Sequence, residues 1–295
     1  MKAGRTNRQQ GISLSEMMIA ILLGSIITIV VSDNFTQSSM NTRSEQGVRS
    51  IAEGAQLAKE LIARDLRMAG YQGCVGFREK PKADDAARLP KAAVFGVNAP
   101  AGQPDTLQIF NAARLGAPIV VQDINIAANA PEIVLGRNIT VNEKTEFLIT
   151  DCKQSVIFRS QATATTTSNR VVPPGTVSIV DLFCSREKRA DPCSNIEFYI
   201  LGQPGESVYS IAPSFPGSAG TSLFRGGVRM VDNITDLQVA YGLRSNGKLR
   251  YRDDCDAACK FGDAESLRFT ITVSSPDQKI QRSFTTTVKL RNTSV

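Results

Sequence analysis

Glu16 is a lone carboxylate in a run of about 20 mostly apolar residues, Ile12 to Val31, the length that crosses a bilayer. Gly11 stands five residues before it, where a short polar leader gives way to that run. An ionised carboxylate in apolar surroundings costs several kcal/mol unless it is paired or lies at the interface, so such a residue marks function. The run carries no lysine, arginine or histidine to pair with it. A cut between Gly11 and Ile12 supplies the missing cation, because the new α-amine of Ile12 is positively charged in much of the population near neutral pH. Within one helix that amine lies near Glu16. Between stacked copies of the helix, Glu16 of one chain meets the amine of the next. The first helical turn also suits a carboxylate, which the helix dipole favours there.

Other groups could do chemistry. Six cysteines, Cys74, Cys152, Cys184, Cys193, Cys255 and Cys259, occur without a CxxC pair, and the chain has no histidine. This disfavours the common zinc arrangements and predicts disulfides in an oxidising compartment. Cys184 and Cys193 are near enough in sequence to close a short loop, as are Cys255 and Cys259, which leaves Cys74 for Cys152. Six cysteines allow many connectivities, and spacing does not choose among them. Asp253, Asp254 and Asp256 offer oxygens to a hard cation such as calcium, but no full ligand set accompanies them, and a solvated acidic loop is the expectation. The sequons at Asn138, Asn233 and Asn292 read as chance matches. No GxSxG, HExxH, Walker loop or GxGxxG is present, so neither an enzyme nor a bound cofactor is predicted.

The elements that hold these residues are legible in outline. Lys2, Arg5 and Arg8 precede the apolar run, which predicts a cytoplasmic N-terminus with the rest of the chain across the membrane. Val31-Ser32-Asp33-Asn34 offers no A-x-A site of the kind that ends a secretory signal peptide. Beyond the run, Val48, Ile51, Ala55, Ala58, Ile62, Leu66 and Ala69 recur at three- and four-residue steps, a helical stripe. Glu45 precedes Arg49, and Glu60 precedes Arg64, by four residues, the better order for helical ion pairs. No proline occurs before Pro81. One helix from Ile12 to about Ala69, ending at Gly70, is predicted, apolar all round at first and then on one stripe that lies against a globular domain.

After Tyr71 the pattern alternates with period two between Gly, Pro, Asn and Asp clusters, which predicts strands. The clearest are Leu237 to Leu243, Leu267 to Val273 and Phe284 to Leu290. Ser274-Ser275-Pro276-Asp277 reads as the turn of an antiparallel hairpin between the last two. Weaker candidates are Thr106 to Phe110, Ile119 to Ile126, Glu146 to Thr150, Val156 to Arg159, Ile179 to Phe183 and Ile196 to Leu201. The Thr/Ser-rich stretch Ala162 to Ser168 and the Gly/Pro-rich stretch Gly202 to Gly220 read as loops. Hydrophobic residues at 42% and charged residues at 21% fit a folded domain of α+β class. Half of the formal charge of +6 belongs to the leader: 34 basic residues, less the three before residue 12, leave 31 against 28 acidic ones. Nothing in that balance predicts a nucleic-acid partner.

The segment Gly-Ile-Ser-Leu-Ser-Glu-Met-Met, residues 11 to 18, resembles the class III signal of type IV prepilins: a basic leader ending in glycine, a hydrophobic first mature residue and glutamate at the fifth. In that family a membrane peptidase cuts after the glycine and methylates the new amine, and the glutamate supports assembly. The resemblance places those roles on Gly11, Ile12 and Glu16. Ile12 stands where the family usually has phenylalanine, a departure that bears on methylation more than on cleavage. Ala63 to Cys74 (ARDLRMAGYQGC), Val231 to Gly242 (VDNITDLQVAYG) and Thr285 to Asn292 (TTTVKLRN) are similar to the helix exit, a later strand and the closing strand of PilW-type minor pilins.

The resemblance implies a pilin-like fold with a long N-terminal helix packed on an antiparallel, disulfide-bearing C-terminal domain. Its divisions are a leader at 1–11, a helix at 12–70 with an assembly segment at 12–31 and an amphipathic part at 32–70, and a β-rich domain at 71–295. It further implies a minor pilin that helps initiate or cap a type IV pilus. The expected partners are other major and minor pilins, prepilin peptidase, the inner-membrane assembly platform and the inner membrane itself. The expected location is the inner membrane with a periplasmic domain before assembly, and the cell-surface pilus afterwards. A minor pseudopilin of a type II secretion system shares the same signal. A single-pass anchored periplasmic binding protein is the more distant alternative.

Overall fold

A computed structural model describes residues 14–73, 82–83, 93–100, 102–125, 132–151, 154–174, 196–202, 208–253 and 264–291. The chain is one long N-terminal helix followed by β-sheets, an α+β layout of pilin type. By internal contacts it divides into two compact units, Met1–Ser50 and Ile51–Val295. In the first, the described residues are all helical.

Helix α1 covers Leu14–Arg67. Its apolar stripe behaves as the spacing predicts: in the second unit Ile51, Ala55, Ala58, Ile62, Leu66 and Ala69 are all buried. The helix then tightens, with Met68 N–H bonding to Asp65 O and Ala69 N–H to Leu66 O, each at 3.1 Å. Gly70, at φ 75°, turns the chain out of the helix in the left-handed conformation that a side chain disfavours. The expected ion pairs Glu45–Arg49 and Glu60–Arg64 do not form among the described residues; Arg64 instead lies 3.7 Å from Asp65. Exposed helical pairs are worth only a few tenths of a kcal/mol, too little to fix long side chains.

Three sheets follow. The first is seven-stranded, in the order β1 (Lys82–Ala83), β7 (Ser155–Arg159), β6 (Glu146–Thr150), β9 (Glu197–Gly202), β4 (Ile119–Asn125), β5 (Glu132–Val141), β8 (Thr166–Val171). The second runs β12 (Val228–Asp232), β11 (Thr221–Arg225), β10 (Val208–Pro213), β3 (Thr106–Ile109), β2 (Val94–Val97). The third runs β14 (Lys248–Arg252), β13 (Ile234–Ser245), β15 (Ala264–Ser274), β16 (Gln281–Lys289). Among the described residues the strand pairings are antiparallel except the two-residue match of β1 with β7.

The alternation read from sequence is the burial pattern of the third sheet. Leu237, Val239 and Tyr241 are buried on β13, and Leu267, Phe269, Ile271 and Val273 on β15, in one core with the helix stripe. The β15–β16 hairpin closes as expected, with Ser275 N–H bonding to Ile280 O at 2.7 Å. A second core gathers Phe147, Phe158 and Phe198 of the seven-stranded sheet, with ring centroids 5.1 to 6.3 Å apart.

Two loops predicted from composition contain strands. Thr166, Thr167 and Ser168 open β8, an edge strand with one buried residue, Val171, and so no alternation to read. Val208–Pro213 form β10 inside the Gly/Pro-rich stretch, where Tyr209 is its one fully buried side chain. The candidate strand Ile179 to Phe183 lies outside the described residues.

Candidate functional site: the N-terminal segment and the helix exit

Twelve large apolar side chains between Leu14 and Val31 are half exposed or more, from Ile26 at 50% to Leu14 at 79%. Removing a side chain of this size from water is worth about 1.5–3 kcal/mol. The segment therefore has tens of kcal/mol to gain from lipid or from other apolar helices. By length and composition α1 suits a membrane span.

The polar groups of this helix are satisfied along its own axis. Ser25 Oγ donates to Leu22 O, Thr28 Oγ1 to Gly24 O, and Asn34 Nδ2 to Val30 O, each at 2.8 Å. Hydroxyls bonded back to the preceding turn carry little cost into an apolar environment. Glu16 occupies the first turn of α1, where the backbone N–H groups and the helix dipole favour negative charge. Gly11 and Ile12 lie outside the described residues.

Within the second unit, the helix exit is stitched to the sheets by groups the sequence did not single out. Asp65 is buried, and its Oδ2 accepts from the Tyr209 hydroxyl at 2.7 Å and lies 3.2 Å from Arg225 Nη1. Tyr209 and Arg225 are cross-strand partners on β10 and β11, so one register delivers both to the same oxygen. Burial, and then the neighbouring Asp65 charge, push the Tyr209 hydroxyl above its ordinary pKa. Asp65 falls within the ARDLR segment, whose resemblance pointed to architecture; its partners are 144 and 160 positions away and leave no local signal.

Past the exit, Gly70 N–H bonds to Phe110 O at 2.8 Å and Ala112 N–H to Tyr71 O at 2.9 Å. Tyr71 packs edge-on against Tyr199, with centroids 6.1 Å apart and hydroxyls 3.2 Å apart, and Tyr199 donates to Glu197 at 2.8 Å. Burial, then the bonds to Tyr71 and Glu197, raise the Tyr199 hydroxyl far above its ordinary pKa. Gln72 Oε1 accepts from Ser155 Oγ at 2.6 Å, and a Cβ on Gly73 would lie 2.8 Å from Thr150 Cγ2. The residues leading to Cys74 thus pack against those flanking Cys152. All six cysteines lie outside the described residues, as do Asp254 and Asp256; Asp253 is described and exposed.

A family model for the prokaryotic N-terminal methylation motif matches residues 6–32, which takes in the end of the leader, the junction, Glu16 and the apolar run. That motif supports a type IV pilin-like protein, a pilin or pseudopilin. It implies processing by prepilin peptidase and assembly with other pilins, and together with the apolar helix it is consistent with membrane anchoring. Comparison with curated proteins and with solved structures gives no match.

Proposed function

We propose that the chain is a minor pilin of PilW type, a structural subunit that helps initiate or cap a type IV pilus. The observation that carries this reading is Glu16 in the first turn of an exposed apolar helix that coincides with the methylation motif. Prepilin peptidase cuts between Gly11 and Ile12 and methylates the Ile12 amine. The segment 12–31 holds the subunit in the inner membrane, with the domain from residue 71 onward in the periplasm. Assembly draws the helix from lipid into a bundle of pilin helices, where Glu16 meets the amine of a neighbour. Apolar burial drives bundling; the charge pair sets the stagger between subunits, since one misplaced step leaves a buried carboxylate opposite no cation.

Disulfides Cys74–Cys152, Cys184–Cys193 and Cys255–Cys259 fit this periplasmic setting. The first is supported by the Gln72–Ser155 bond and by the packing of Gly73 on Thr150. A minor pseudopilin of a type II secretion system is the second reading, favoured by nothing beyond the shared signal; deletion that abolishes secretion and leaves piliation intact would select it. The test of the first reading is Glu16→Ala. The variant is expected to insert and fold, and to be absent from sheared filaments. Incorporation at the parental level would refute the pairing.

A further inference from the structure

Between its apolar segment and its buried stripe, α1 crosses a stretch with little to keep it helical. Of the fifteen residues from Ser32 to Gln46, four are serine, two threonine, two asparagine and one aspartate, and none is alanine or leucine. Such side chains compete for the backbone and disfavour helix interiors. Asn34 Nδ2, Thr36 Oγ1 and Thr42 Oγ1 each donate to the carbonyl four residues back, at 2.8, 2.8 and 2.9 Å. Bonds of this kind slightly destabilise and bend a helix. Gly47 follows directly, another weak helix residue.

Nothing described compensates. All fifteen residues are exposed except the half-buried Ser39. The two large apolar side chains, Phe35 at 76% and Met40 at 64% exposure, stand five positions apart and so on different faces. Arg43 and Glu45 are two apart and do not face each other. Among the described residues no ion pair lies within the stretch. A segment polar all round needs many i,i+4 pairs to hold as a helix in water. With this composition the propagation constant averages about 0.6, against about 1.6 for alanine. Over fifteen residues that favours the open state about 2000-fold, against a penalty of about 1000-fold for breaking a continuous helix. Open and helical forms are then comparably populated. The flanks differ: Leu14 to Val31 has lipid or other helices to enter, and Ile51 to Ala69 carries the buried stripe.

We propose that residues 32–46 are a hinge in α1, open and helical by turns while both flanks stay helical. Opening changes the rise from about 1.5 Å to as much as about 3.3 Å per residue, so the stretch gains up to about 27 Å of reach. The hinge serves the step in which the subunit leaves lipid for the filament, because the membrane segment can then advance before the globular unit follows. That use rests on the pilus reading; the opening itself does not.

The test is limited trypsin digestion of the full chain in detergent micelles, with each cut followed by mass spectrometry and its rate divided by that in urea. Arg43 and Arg67 are both exposed and both on α1, so exposure alone predicts equal rates. The hinge predicts that the cut after Arg43 is faster by at least about 100-fold, since proteolysis tracks the open population. Replacing Ser38→Ala, Ser39→Ala, Asn41→Ala and Thr42→Ala together should slow that cut on the order of 10-fold and leave the cut after Arg67 unchanged. The same variant should enter sheared filaments less than the parent. Equal normalised rates at Arg43 and Arg67, or an alanine variant cut at the parental rate, would overturn the hinge. A slowed variant that enters filaments at the parental level would overturn its use in assembly. Glu16→Ala found in filaments at the parental level refutes the pairing and leaves the trypsin result standing, so the two failures are distinguishable.

Discussion

Asp65→Ala should be the most damaging single change in the globular unit outside its apolar core. The carboxylate is 10% exposed and the Arg225 guanidinium 14%, so removing the first leaves a nearly buried cation without a counter-charge. Truncating one partner of a buried pair costs about 3–5 kcal/mol. The Tyr209 hydroxyl loses its acceptor at 2.7 Å in the same step. For a unit of this size each kcal/mol lowers the melting temperature by about 2–4 °C, so a fall on the order of 10 °C is expected. Near-UV circular dichroism suits the measurement because the chain has no tryptophan and five tyrosines. The double change Asp65→Leu with Arg225→Met removes both charges and should recover most of the loss, since replacing a buried pair by apolar groups is often neutral. The thermodynamic cycle isolates the pair. Removing the Asp65 charge should also let Tyr209 ionise at lower pH, with Arg225 still beside it. A melting temperature within about 2 °C of the parent for Asp65→Ala would refute the reasoning, as would a double variant less stable than either single one.

Other perturbations follow from the same geometry. On Gly96 of β2 a Cβ would collide with the Tyr241 hydroxyl, and Gly96→Ala should lower the melting temperature by several degrees, consistent with about 1–3 kcal/mol of overpacking. Asp277 accepts from Ser275 Oγ at 2.5 Å, and this bond holds its carboxyl below the ordinary carboxylate value. The stability it gives the β15–β16 turn is thus present above the unfolded-state pKa and is lost as pH falls through the lower folded one; Asp277→Asn should flatten that acid limb of a stability–pH curve. A bulky residue at Gly11, such as Gly11→Phe, should block maturation and leave an unshifted band on a gel.

What could be read from the sequence depended on whether the signal was local. Glu16 stood out because a charge in an apolar run needs no partner in view to be noticed. The stripe Ile51 to Ala69 and the strands around Leu237, Leu267 and Phe284 bury one face each, so period and burial coincide. Strand β5 was not among the predicted strands; its register with β8 shifts between Val134 and Ile139, which interrupts the alternation. Strand β14 alternates cations with Leu249 and Tyr251 on an exposed edge, and a search for dense basic runs passes over it. The Asp65–Tyr209–Arg225 cluster joins α1 to the paired strands β10 and β11, far along the chain from it, and only the fold brings them together.

The central claim is that the N-terminal segment matures and then assembles, and the mass of the subunit's N-terminal peptide, taken from sheared filaments, tests it most directly. The account predicts a peptide beginning at Ile12, with a methylated amine and no leader. Recovery of the subunit in filaments with residues 1–11 still attached, or its absence from filaments after a normal cut, would contradict it.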